Sequence, residues 1–122
     1  MHFRAACIQA RDARPLVEFY KTVFGHDPEV DGGVDFRFVH EQLTIFQMGE
    51  RKGTETRGVA MIYIVEDVDA EHARLNALDF PNLSAPTDKP WGVRSFMVED
   101  PNGNLVSFTK DIQATRIETN HE

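Results

Sequence analysis

Apolar and polar positions along this chain follow two rhythms, and their order predicts the fold. From Trp91 to Lys110, WGVRSFMVEDPNGNLVSFTK, the period is two on either side of a turn. Asp100-Pro101-Asn102-Gly103 is type I turn chemistry. Pro101 presets φ at the second position, and Gly103 can take the left-handed conformation that follows. Such a three-residue connection pairs Asp100 with Asn104. It sets Phe96, Val98, Val106 and Phe108 on one face and Ser95, Met97, Glu99, Leu105, Ser107 and Thr109 on the other. The first face needs a helix to cover it; the second suits the wall of a pocket.

Upstream, Phe3 to Ala10 reads as a short apolar strand stopped by Arg11-Asp12. Asp12 is the expected N-cap of a helix that tolerates Pro15 in its first turn. Leu16, Phe19, Tyr20 and Val23 recur at helical spacing, and Gly25 closes the helix. Val34 to Val39 and Gln42 to Phe46 predict a hairpin around His40-Glu41. A loop of two or four residues there puts Phe36, Phe38, Leu43 and Ile45 on the core face, with Arg37, Gln42, Thr44 and Phe46 opposite. Gly49 to Thr56, GERKGTET, is polar, contains glycine and has no periodicity, so it reads as a linker.

After it the plan repeats. Val59 to Val65 is a strand, Glu66-Asp67-Val68-Asp69 a second strand-to-helix corner, and the following helix turns Leu75 and Leu78 inward. Asn82 to Pro90 is proline-interrupted and suits an edge strand. Aligning Asp12 with Asp67, an offset of 55 residues (67 − 12), superposes strand on strand and helix on helix. The reading is a single α+β domain over 1–122 built from two βαβββ modules. Module one covers about 1–48, the linker about 49–57, module two about 58–112 and a tail 113–122. The eight strands are expected to form one curved mixed sheet with both helices on its convex side. Buried convex positions are Ile8, Leu16, Phe19, Val23, Phe36, Phe38, Tyr63, Val65, Leu75, Phe96, Val98, Val106 and Phe108. At roughly 1.5–3 kcal/mol for each buried large apolar side chain, that set can offset the chain entropy of one domain.

Charge and cysteine content narrow the partner. A net charge of −7 argues against nucleic acid or an anionic membrane, leaving a small molecule or a second copy of the chain. No apolar run is long enough for a membrane span, and Met1-His2-Phe3-Arg4 does not begin a signal peptide. The one cysteine, Cys7, excludes an internal disulfide and fits a reducing, cytoplasmic setting.

Arg11-Asp12 through Phe19-Tyr20 to Phe24-Gly25, Val65-Glu66-Asp67-Val68-Asp69, Trp91-Gly92 and Asp100-Pro101-Asn102-Gly103-Asn104 together resemble the vicinal oxygen chelate superfamily. That superfamily includes glyoxalase I, extradiol dioxygenases and bleomycin-resistance proteins. The resemblance implies a divalent metal held by four concave-face side chains, two per module, usually His or Gln and Glu. Carried onto this chain, those slots fall on Ala5, Thr44, Ala60 and Ser107. Two alanines offer no donor, and Ser and Thr hydroxyls are weak neutral ligands, so no metal, no other cofactor and no catalytic residue is expected.

The ligand-binding candidates are the residues that share the concave face. Cys7 and Gln9 face as Ala5 does; Cys7 reads first as a small buried hydrophobe and second as a pocket residue, and Gln9 equally as a ligand contact or a rim residue. Arg37, opposite Thr44, can bind a carboxylate or phosphate, or else serve as a surface Arg or a partner for Glu99. Trp91 can wall a pocket or cover the sheet edge, while Phe46, Ile62, Ile64 and Met97 make the lining apolar. Ser107 completes the set. His2, His40, His72 and His121 show no ligand spacing, His26 follows the helix-ending Gly25, and none has a recognisable triad partner. The expected function is metal-free binding that sequesters an apolar or aromatic, antibiotic-like compound in a homodimer. The rivals are a metal-dependent lyase or dioxygenase with displaced ligands, such as Glu99 or Gln9 with a partner's His, and a structural dimer whose cavity is filled by its own side chains.

Overall fold

The computed structural model describes residues 1–112; the expected tail lies outside them. The described residues form two compact units, Met1–Val59 with the turn Asp100–Asn104, and Ala60–Glu99 with 105–112. In the first, β1 (Ala6–Ala10) leads to α1 (Arg14–Phe24), then β2 (Val30–Asp31), β3 (Asp35–Phe38) and β4 (Leu43–Gln47). In the second, β5 (Ala60–Ile64) leads to α2 (Val68–Ala77), then β6 (Thr87–Lys89), β7 (Val93–Glu99) and β8 (Leu105–Asp111). The sheets are ordered β1-β4-β3-β2 and β5-β8-β7-β6, the same plan twice. In each, the first strand runs parallel to the last and the remaining pairs are antiparallel. The predicted α+β duplication is present, including the two-residue β2 that hydrophobic patterning did not locate.

Both predicted hairpins take the expected registers. Phe38 pairs with Leu43, Arg37 with Thr44 and Phe36 with Ile45, across a four-residue connection. Phe96 pairs with Phe108 and Val98 with Val106, and Gly103 adopts φ +86° as the turn requires. The buried faces follow. Ile8, Ala10, Leu16, Val17, Tyr20, Val23, Phe38, Leu43 and Ile45 form one core. Met61, Val68, Leu75, Phe96, Val98, Val106 and Phe108 form the other. Rings bind each layer: Phe24 meets Phe38 edge-on at 5.1 Å, and Phe96 stacks on its cross-strand partner Phe108 at 5.0 Å.

The helix ends differ in an informative way. Asp67 caps α2 by accepting from the Ala70 N–H at 3.0 Å. Asp12 does not cap α1: Ala13 is the N-cap, and the Asp12 carboxylate is taken by Arg14, through its backbone N–H and a fork of guanidinium bonds at 2.7–3.2 Å. That guanidinium holds the Asp12 carboxyl down at about 2. Gly25, at φ +83°, ends α1 as predicted, its N–H returning to the Lys21 carbonyl. Leu78 is 59% exposed rather than inward, because α2 stops at Ala77 and the helical period no longer governs it. Phe19, Phe36, Tyr63 and Val65 are half-buried rather than core.

Two polar knots lie in the first unit. Tyr20, fully buried, donates its hydroxyl to Asp100 Oδ2 at 2.7 Å. Asp100 also accepts from the N–H groups of Asn102 and Asn104 and from Asn104 Nδ2, at 2.8–3.0 Å. The predicted linker is the second knot. The Arg11 guanidinium donates to the carbonyls of Gly49, Arg51 and Gly53, while the Arg11 N–H donates to Glu55 and the Gln9 N–H to Thr56 Oγ1.

Candidate functional site

Strand alternation gives each sheet one buried and one open face. In the first sheet Cys7 pairs with Thr44, Gln9 with Phe46 and Arg37 with Thr44, so these five share the open face with Asp35. In the second, Ile62 pairs with Ser107 and Ser107 with Met97, and Ile64 points the same way. Ile62 is 68% exposed, Ile64 70% and Met97 40%. Trp91, 70% exposed, lies in the turn before β7.

Arg37 and Thr44 meet at a cavity of about 160 Å³ lined also by Arg4, Ala5, Val30 and Gln42. Cys7, Gln9 and Phe46 share its sheet face without lining it. Two guanidinium-bearing residues line this cavity in a chain of net charge −7. Arg37 is held by Asp35, whose Oδ2 accepts from Nε at 3.0 Å and Nη2 at 2.9 Å. Asp35, not Glu99, is therefore its partner, one that an i, i+2 spacing on one strand face could have indicated. Cys7 is exposed, yet partial desolvation raises its thiol pKa, so less of it is thiolate near neutrality than of an ordinary cysteine. The Ser107 hydroxyl is spent on Thr109 Oγ1, 2.8 Å away.

A second cluster escaped the sequence reading. His26 follows the αL glycine that ends α1, Glu29 precedes β2 and Glu41 sits in the β3–β4 turn. Folding brings the Nε2 of His26 to 2.8 Å from Glu41 Oε2, and its Nδ1 to 3.3 Å from Glu29 Oε2 and 2.7 Å from the Asp27 carbonyl. Nothing in the spacing of these three residues signals their meeting; it depends on the four-residue hairpin connection.

A family model, Glyoxalase/Bleomycin resistance protein/Dioxygenase superfamily, matches residues 2–108. The chain belongs to this superfamily. No curated protein matches it. Solved structures share the superfamily's fold at low identity. A glyoxalase/bleomycin resistance protein/dioxygenase from Nocardioides is 19% identical with a TM-score of 0.73, over 93% of this chain and 85% of that one. A lactoylglutathione lyase from Agrobacterium tumefaciens is 22% identical with a TM-score of 0.69, over 89% and 92%. A structure described only as a conserved domain protein reaches a TM-score of 0.79 at 22% identity, over 91% and 99%.

For a member of this superfamily, the four slots of the chelating set do not fit a metal. Ala5 lines the cavity with Thr44 but carries no donor, and Ala60 carries none either. Ser107 already hydrogen-bonds Thr109, and a lone threonine hydroxyl cannot replace carboxylate and imidazole ligands. No helix among the described residues is long and apolar enough to cross a membrane.

Proposed function

We propose that this superfamily member binds a small organic molecule without a metal at the four chelating slots, sequestering an apolar or aromatic, antibiotic-like compound. The observation that carries the reading is the composition of the open strand faces: alanine at two slots, and exposed Ile62, Ile64 and Met97 beside Ser107. The 160 Å³ cavity is below the roughly 300–1,000 Å³ of a whole-ligand site, so it suits one polar group of the ligand rather than the ligand itself. Arg37, with Arg4, supplies a planar cationic fork for a carboxylate or phosphate there. Gln9, Cys7 and Phe46 extend the contact surface on the first sheet, Trp91 adds to the apolar surface of the second unit, and a second copy of the chain covers apolar side chains in a homodimer.

A ligand that binds only the folded protein raises its unfolding temperature. A thermal-shift panel of aromatic and aliphatic acids, run with and without excess EDTA, tests the reading. Stabilisation unchanged by EDTA and reduced by Arg37→Met is expected. If no compound stabilises the protein, or if EDTA abolishes every effect, sequestration without metal is wrong. Light scattering on the eluting protein reads the dimer directly.

A further inference from the structure

We propose that His26, Glu29 and Glu41 form a binding site for a zinc-like divalent cation, separate from the superfamily's chelating slots and independent of the ligand reading above. Three segments converge there. One ligand atom from each residue lies within 4.8 Å of the other two. The αL turn at Gly25 throws His26 back toward the sheet. Its ring is packed edge-on against Phe38 at 5.7 Å and stacked with Phe24 at 6.4 Å, which fixes its plane. Glu29 is positioned by accepting the Val39 N–H through Oε1 at 2.6 Å, leaving Oε2 toward the imidazole.

The hydrogen-bond chemistry singles out a cation. Nδ1 lies 2.7 Å from the Asp27 carbonyl, which can only accept, so Nδ1 carries a hydrogen. In the neutral ring, Nε2 then presents a lone pair to the Glu41 carboxylate 2.8 Å away. Two lone pairs at that distance repel unless positive charge lies between them. A proton is one candidate, and the Glu41 carboxylate and the Asp27 carbonyl do push the His26 pKa above its usual range. A divalent ion is the other. An imidazole whose far N–H is held by a backbone carbonyl is the usual orientation of a metal ligand. Ligands at about 2.1 Å from a tetrahedral ion are about 3.4 Å apart, so taking up the ion opens the 2.8 Å Nε2–Oε2 contact by about half an ångström. Glu29 Oε2 lies on the Nδ1 edge of the ring, 3.3 Å away, so it becomes a third donor only by rotating its side chain, and its exposure leaves room for that and for a water. Imidazole with two carboxylates suits zinc and its transition-metal neighbours better than calcium or magnesium, which take oxygen donors alone.

The test uses the full chain, stripped with a chelator and dialysed into metal-free buffer at pH 7.5. Calorimetric titration with ZnCl2 is expected to show one ion bound per chain, and the unfolding temperature to rise with zinc concentration. His26→Gln and Glu41→Gln should each weaken binding at least about tenfold, because each removes a charged or strongly donating ligand. His40→Asn, in the same turn but outside the cluster, should bind as the parent does. Urea midpoints without zinc verify that the variants fold. Co2+ gives a second readout, since its visible absorption should appear in the parent and be lost in both cluster variants. Zinc binding that survives both substitutions, or a parent that takes up no zinc while His26 titrates with a proton only, overturns the proposal.

Discussion

Tyr20→Phe deletes one oxygen atom from the centre of the first unit and leaves its packing volume almost unchanged. The hydroxyl donates to Asp100 at 2.7 Å where both residues are at least 97% buried, so neither can recruit bulk water in compensation. A hydrogen bond to a charged group contributes about 1.5–3 kcal/mol, and a buried acceptor that loses its donor keeps the desolvation cost. Asp100 retains three other donors, from Asn102 and from the backbone and side chain of Asn104, so the carboxylate is not stranded and the upper figure is a ceiling. Unfolding temperatures move by about 4–8 °C per kcal/mol in domains of 60–100 residues and about 2–4 °C above 150, so a fall of about 5–15 °C is expected. Urea denaturation followed by tryptophan fluorescence and by far-ultraviolet dichroism measures the free energy, and the slope m should not change. Asp100→Asn made singly and with Tyr20→Phe completes a double-mutant cycle whose coupling term isolates the pair. A Tyr20→Phe cost below about 0.5 kcal/mol, or a coupling term near zero, refutes the buried charged bond as a contributor.

Phe96→Ala should cost about 3–5 kcal/mol, since it opens a cavity beside Phe108 and His72 in the second core; a fall in the urea midpoint relative to the parent reads it. Gly25→Ala should cost about 1–2 kcal/mol, because at φ +83° an added Cβ meets the following carbonyl, and thermal unfolding measures the drop. Cys7 has its thiol pKa raised by desolvation, so at pH 7–8 less of it is thiolate than of a free cysteine. Alkylation by iodoacetamide should therefore be slower than that of a cysteine peptide, with the gap closing as pH rises past the shifted value. Labelling faster than the peptide at neutral pH contradicts that direction.

Much of this architecture could be read from residues alone because a period-two pattern with a defined turn fixes register. Asp100-Pro101-Asn102-Gly103 allowed one connection, and Phe96, Val98, Val106 and Phe108 all proved buried. The same logic set Arg37 opposite Thr44. What patterning missed was side-chain competition and long-range convergence. Asp12 has cap chemistry, but Arg14 two residues on captures its carboxylate. Leu78 continues a helical period beyond the last helical residue. The knots Arg11 with the linker, Tyr20 with Asp100, and His26 with Glu29 and Glu41 join residues up to 80 positions apart, and no local signal announces them. The expectation that the chelating slots fall on Ala5 and Ala60 rests on resemblance, since alanine is unremarkable in an isolated strand.

The stretch between the two repeats behaves less like a tether than like a cord wound on a peg. Three carbonyls turned onto one guanidinium fix the path of Gly49 to Gly53, so the number of residues in that path matters as much as their identity. Lysine at position 11 has the charge but not the planar fan of donors, and could serve only part of the turn. Extra Gly-Ser residues inserted after Lys52 would unwind it. Duplication of a βαβββ unit thus acquires a spacer of set length, and Arg11 is the gauge.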